Sequence, residues 1–152
     1  MKRQVNARMC FVCGLENPIG LRLVFEEDEK RVWAEFTPCQ EHQGWPGVLH
    51  GGLVCALLDE VMIRAFLFDQ EERWMVTAKM EVRYFKSVPL EQPLTLVGGV
   101  TKRGSRMIEA WGEIRLSDGS VAAKSKGVYL KAPPEMVEEL KEEVKYWRVV
   151  PS

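Results

Sequence analysis

A chain of 152 residues, 46% of them hydrophobic, is the size of one domain and long enough to bury roughly two thirds of its unfolded surface around a single core. Its 21 Lys and Arg stand against 22 Asp and Glu, so no net field gathers nucleic acid or an anionic membrane, and neither is expected as a partner. Met1-Lys2-Arg3-Gln4-Val5-Asn6 carries charge without a following apolar run of signal-peptide length, and the most apolar stretch is broken by Asp59, Glu60 and Arg64. A soluble, cytoplasmic protein with reduced thiols is the expectation.

The first punctuation in the chain is Cys10-Phe11-Val12-Cys13-Gly14, matched further on by Cys39-Gln40-Glu41-His42. Cys10, Cys13, Cys39 and His42 together would make a Cys3His set suited to tetrahedral structural zinc. The alternative is that Cys10 and Cys13 are small buried residues at a turn, and no cofactor is then needed. Asn17-Pro18-Ile19-Gly20 reads as a turn and Leu21 to Phe25 as a strand with alternating faces. The acidic run Glu26 to Glu29 reads as a solvated hairpin connection, leading to a second strand over Arg31 to Thr37.

A loop rich in Gly and Pro, from about Pro38 to Leu49, precedes the longest element. Apolar residues at Leu53, Ala56, Leu57, Val61, Ile63, Ala65 and Leu67, with no Pro among them, predict a helix from Gly51 to Phe68. Four stretches with strand character follow, Trp74 to Phe85, Leu94 to Lys102, Arg106 to Leu116 and Ser120 to Leu130, read as an antiparallel meander with turns such as Ser117-Asp118-Gly119. Pro133-Pro134 stops the sheet, and Glu135 to Trp147 reads as a short amphipathic helix. One apolar helix cannot hide alone, and a sheet of five to six strands has one face to bury, so the sheet is expected to wrap around the helix. The expected class is α+β, an arrangement that resembles the hotdog fold, with an N-terminal segment over 1–20, the hotdog-like domain over 21–131 and a C-terminal helix and tail over 132–152.

Asp59 breaks the pattern of that helix. Its neighbours three and four residues either way are Cys55, Ala56, Met62 and Ile63, none able to pair with it. Glu60 differs, because Arg64 lies four residues on in the favourable order, which reads as a surface ion pair. A carboxylate on an apolar face is costly, is retained mainly at functional sites, and has its ionisation disfavoured by desolvation, as suits a general base. The bland reading is a distant Arg or Lys partner, or solvent.

His50-Gly51-Gly52, with Asp59 nine residues after the histidine, resembles the signature of the phenylacetate-pathway type of hotdog acyl-CoA thioesterase. The likeness runs over roughly Leu21 to Leu130 and includes Thr77-Ala78-Lys79-Met80-Glu81-Val82-Arg83-Tyr84; the Cys10–Gly14 and Asn17–Leu21 opening resembles a subgroup of uncharacterised bacterial members. The resemblance implies hydrolysis of an acyl-CoA to free acid and coenzyme A, with Asp59 as base or nucleophile and Thr77 positioning water or the carboxylate. His50 would hydrogen-bond near the thioester carbonyl, or merely cap the helix. Free amides at a helix start, here those of Gly51 and Gly52, suit an oxyanion. Eight residues of helix put Asp59 about 12 Å from Gly51, so one helix cannot bring both to one carbonyl, and two copies about a two-fold axis can. A homodimer is therefore expected, and whether dimers pair further into a homotetramer is left open by the sequence.

Where the family often carries Asn, six residues before the histidine, this chain has Gly44, and His42 and Gln43 are the nearby candidates to fill the gap. Lys102, Arg103, Ser105 and Arg106 form a turn that could hold coenzyme A phosphates or simply face water. Trp45, Met62, Phe66 and Trp74 are candidate acyl-pocket walls or core. Two rivals stand beside this reading. One is a non-catalytic acyl-CoA-binding hotdog module. The other is a hotdog dehydratase, faintly suggested by Trp45-Pro46-Gly47-Val48-Leu49, although the acid expected six residues after that proline is Gly52.

Overall fold

The computed structural model describes residues 2–67 and 74–152. Helix α1, Gly51–Leu67, forms where the apolar spacing predicts it and buries Val54, Leu57, Leu58, Val61, Met62, Arg64 and Phe66; the expected last residue, Phe68, lies outside the described residues. The chain order is β1 (Lys2–Arg3), β2 (Val5–Asn6), β3 (Glu26–Glu27), β4 (Val32–Phe36), α1, β5 (Met75–Tyr84), β6 (Leu94–Arg103), β7 (Met107–Arg115), β8 (Val121–Lys131), α2 (Pro134–Glu143) and β9 (Arg148–Val149). The four strands after α1 begin and end within one residue of the predicted bounds. Pro134 at the first turn of α2 suits a helix start, where its missing N–H costs nothing.

The sheet is antiparallel and wraps α1 as expected, with seven strands in the order β1-β3-β4-β6-β7-β8-β5, two of them only two residues long. Only β6, β7 and β8 form a meander. Strand β5 pairs with β8 at the far edge and β4 pairs with β6, so the strands on either side of α1 in sequence stand apart in the sheet. Gly98 and Gly112 face each other across β6 and β7, and a Cβ on Gly98 would meet Val61 O of the helix at 2.6 Å. Glycine in these strands therefore marks the close approach of the helix backbone rather than a weak strand. Leu57, Leu58 and Val61 fill the space so created, and truncating Leu57 to Ala would cost about 2 to 5 kcal/mol.

The N-terminal region departs from the sequence reading. Leu21 to Phe25 is not a strand: Arg22 has φ 55°, and Leu21 and Leu23 N–H donate to the carbonyls of Phe11 and Val12 instead of to a ladder. The strand is Glu26–Glu27, and the turn lies beyond it, closed by Asp28 Oδ1 accepting from the Lys30 and Arg31 amides. Buried Asn6 binds Cys13 O and Leu23 O at 2.7 Å each, and β2 pairs with β9. The opening residues are thus woven into both the domain and its C-terminal tail. Among the described residues, no helix is long and apolar enough to cross a membrane.

Candidate active site

The middle of α1 carries Asp59, half-buried against β5 and β8. Thr77 on β5 and Tyr129 on β8 are paired in register, which sets their side chains on one face of the sheet. Both hydroxyls donate to Asp59 Oδ1, each at 2.9 Å. Asp59 Oδ2 has no hydrogen bond among the described residues. Asp59 is therefore neither stranded nor paired with a cation: two neutral donors fix one oxygen and leave the other to act. Tyr129 is fully buried, with its ring against Phe66 at 5.1 Å. Burial first, then the Asp59 charge and hydrogen bond, push the Tyr129 phenol above its ordinary range, so it stays a neutral donor.

At the start of α1, His50 is a cap. Its Nδ1 accepts from Gly52 N–H at 2.8 Å and its carbonyl accepts from the Leu53 and Val54 amides. The Gly51 N–H has no partner among the described residues, whereas the Gly52 donor is engaged. Tyr84 donates to Gly51 O at 2.7 Å and lies 3.1 Å from Cys55 Sγ. An open groove of about 780 Å³ runs past this end, lined by Trp45, Val48, His50, Gly51, Tyr84 and Lys86 among others. Asp59 is not on its wall.

Gly44 sits against His50 so closely that a Cβ there would be 2.9 Å from His50 Cα, which explains why this loop does not carry a side chain at that position. Of the two candidate replacements, Gln43 lines the groove beside His50 and His42 does not. The Cys39 amide donates to His42 Nδ1 at 3.0 Å and the His42 ring packs on Phe36, while Gln43 Oε1 accepts from Gly47 N–H.

Against this geometry, the family model described as "Thioesterase superfamily" matches residues 46–123, just over half of the chain, and takes in His50-Gly51-Gly52, Asp59 and Thr77. The chain belongs to the thioesterase superfamily. The rat protein "Acyl-coenzyme A thioesterase THEM4" is 23% identical over 137 residues, covering 88% of this chain and 58% of that protein. "Putative esterase SSO2140" of Saccharolobus solfataricus is 30% identical over 104 residues, covering 68% and 74% respectively. The crystal structure of "protein RHA08564, thioesterase superfamily protein" superposes with a TM-score of 0.76 at 33% identity, over 82% of this chain and 61% of that one. The chain thus spans about three fifths of the length of the rat relative.

Within this thioesterase-superfamily chain, the remaining candidates scatter. Lys102, Arg103, Ser105 and Arg106 are exposed at the β6–β7 hairpin, and Lys102 and Arg103 line a second groove with Arg64 near the C-terminal end of α1. That end is about 20 Å of helix from Gly51. Met62 and Phe66 are fully buried in the core, and half-buried Trp74 packs edge-on against Trp147 at 6.1 Å. Trp45 is 81% exposed on the groove rim. The four proposed zinc ligands do not converge, because Cys39 meets His42 and Glu41 while Cys10 and Cys13 lie beside Glu60. Glu60 in turn forms a buried ion pair, not a surface one: the Arg64 side chain is 2% exposed and its Nε lies 3.0 Å from Glu60 Oε1.

Tyr129 is the site residue that the sequence reading missed. Its alternation with Ser125 and Gly127 on the buried face of β8 is visible in the sequence, but a meander pairs β5 with β6 and hides that Thr77 and Tyr129 share a level.

Proposed function

We propose that this chain is an acyl-CoA thioesterase of the His-Gly-Gly…Asp type whose site is completed by a second copy. The observation that carries the reading is the Asp59 carboxylate, with Oδ1 held by two hydroxyls and Oδ2 unengaged. In this mechanism Oδ2 takes a proton from water as the water oxygen bonds to the thioester carbon. The developing oxyanion receives the Gly51 N–H at a helix start, the C–S bond breaks, and the proton held by Asp59 passes to the departing thiolate. Thr77 and Tyr129 act by fixing which carboxylate oxygen faces the water.

Since Asp59 and Gly51 of one helix are about 12 Å apart, the Gly51 amide comes from the other copy. Strand β5 supports this, because it is the last strand of the sheet, ten residues long and mostly exposed, and such an edge pairs readily with another chain. Coenzyme A phosphates fall to Lys102, Arg103, Ser105 and Arg106, so added salt is expected to weaken acyl-CoA binding. Trp45 lines the acyl or pantetheine path in the groove.

Thiol release from a panel of short, medium and aryl acyl-CoAs tests the activity. Mixing tests the shared site. Asp59→Ala and Gly51→Val homodimers, each inactive, regain on subunit exchange about a quarter of the wild-type sites if the site spans two copies, and none if it lies within one. A second reading, a non-catalytic acyl-CoA-binding module, draws on the engaged Gly52 amide and the glycine at position 44. Binding without turnover on every substrate would select it.

A further inference from the structure

Away from Asp59, three metal-ligating atoms come together: Cys10 Sγ, Cys13 Sγ and a carboxylate oxygen of Glu60 lie within 4.8 Å of one another. Cys13 is buried and the other two are half-buried. The turn that presents the thiols is tightly made. Gly14 N–H donates to Cys10 O at 2.7 Å, and a Cβ on Gly14 would fall 2.4 Å from that oxygen, so only glycine closes it. The amides of Cys13 and Val12 are directed at the Cys10 sulfur. Amides aimed at sulfur favour the thiolate, the form that binds metal.

The third group is oriented as a ligand would be. Glu60 Oε1 accepts from Arg64 Nε at 3.0 Å, which turns Oε2 toward Cys10 Sγ at 3.6 Å. Arg64 is itself held by Val5 O at 2.6 Å and Gln4 Oε1 at 3.4 Å. An outer group that fixes the direction of a coordinating carboxylate is a usual part of a metal site. Charge points the same way. Once binding has released both thiol protons, two thiolates and a carboxylate stand beside one guanidinium, and a divalent cation cancels the excess of two negative charges.

We propose that Cys10, Cys13 and Glu60 bind a zinc-class divalent cation that ties the N-terminal turn to α1, one residue from Asp59. Two sulfur donors and one oxygen suit a borderline-soft ion with tetrahedral preference, the fourth position going to water. Binding displaces the thiol protons to solvent, so affinity rises with pH. The role is structural, holding the helix that carries Asp59, and it does not depend on whether the chain hydrolyses thioesters.

The test uses the full chain, reduced, tag-free and stripped with chelator, titrated with Co(II) alone. The expected result is about one equivalent bound with a thiolate-to-cobalt charge-transfer band, and a higher melting temperature when Zn(II) is added. Cys10→Ser and Cys13→Ser each abolish the band, Glu60→Gln weakens binding roughly tenfold or more, and Cys39→Ser and His42→Ala leave it unchanged. Since a serine variant could fold poorly, the wild-type titration and Glu60→Gln stand by themselves. The proposal is overturned by absence of the charge-transfer band in reduced wild-type protein, by binding that survives loss of both Cys10 and Cys13, or by binding that falls with Cys39→Ser.

Discussion

Asp59 and Glu60 are consecutive on α1, yet their carboxylates meet opposite surroundings. Residues one apart on a helix are turned by roughly 100°, so Asp59 faces β5 and β8 while Glu60 faces the N-terminal segment. Asp59 receives two neutral hydroxyls on one oxygen. Glu60 receives a buried guanidinium and a thiol. A hydroxyl orients a carboxylate without cancelling its charge, whereas a buried cation cancels it. One acid keeps an unengaged oxygen and its charge, as the proposed base for water requires, and the other is a strut.

The largest expected effect tests the reactive side of that contrast. Asp59→Ala should lower kcat/KM on the best acyl-CoA by about 100-fold to 10,000-fold, the usual worth of a positioned base, while the melting temperature moves little. Asp59→Asn keeps an oxygen for both hydroxyls to donate to, and should show the same loss of turnover with still less change in stability. Wild-type turnover in either variant would remove Asp59 from the chemistry.

Next comes the strut. Arg64→Ala leaves half-buried Glu60 without its buried cation, and should cost up to about 3 kcal/mol in urea unfolding. Turnover per folded molecule should stay close to wild type. The opposite outcome, a stable but slow protein, would mean that Glu60 and Asp59 share one function and the contrast is false.

How far the sequence reached follows the same divide. Helix α1, the four long strands and the anomaly of Asp59 are legible because each is signalled by local periodicity or by a residue that violates it, whereas Thr77 is singled out only by the family resemblance. Strand order carries no such local signal, and with β5 assigned beside β6 the Thr77–Tyr129 pair could not be seen. The spacing of Glu60 and Arg64 named the partner but not the burial, because what covers them comes from the first residues of the chain, through Gln4 and Val5. Those residues are placed by pairings such as Val5 with Val149, far apart in sequence. Leu21 to Phe25 alternates like a strand, yet its amides go to Phe11 and Val12, a partner that no pattern within five residues could reveal.

A smaller effect separates orientation from charge at Asp59. Tyr129→Phe removes one of two donors from Oδ1 and should slow turnover roughly tenfold, the worth of one hydrogen bond to a charged group, with KM nearly unchanged. Thr77→Val should act in the same direction. If removing both donors costs no more than removing one, the hydroxyls act as a unit and the two single values added together overstate the pair.

The smallest expected effect appears at alkaline pH, in how stability depends on the Tyr129 phenol. Its folded-state ionisation is raised above the ordinary tyrosine value, by burial first and then by Asp59, with Glu60 the weakest contributor. A group that holds its proton more tightly when folded contributes stability that is fully present below its unfolded pKa, about 10, and lost as pH rises toward the folded value. Tyr84, raised to about 12 by burial and then by Cys55, adds a similar but separate slope. Denaturant midpoints measured above about pH 10 should therefore fall less steeply in Tyr129→Phe than in wild type. Asp59→Asn should flatten the curve partway, because an uncompensated charge next to the phenol is removed. Glu60→Gln should flatten it less, since Arg64 already offsets that charge. Equal flattening by the two acid variants would show that Asp59 is as neutralised as Glu60, and the distinction between base and strut would then lose its electrostatic ground.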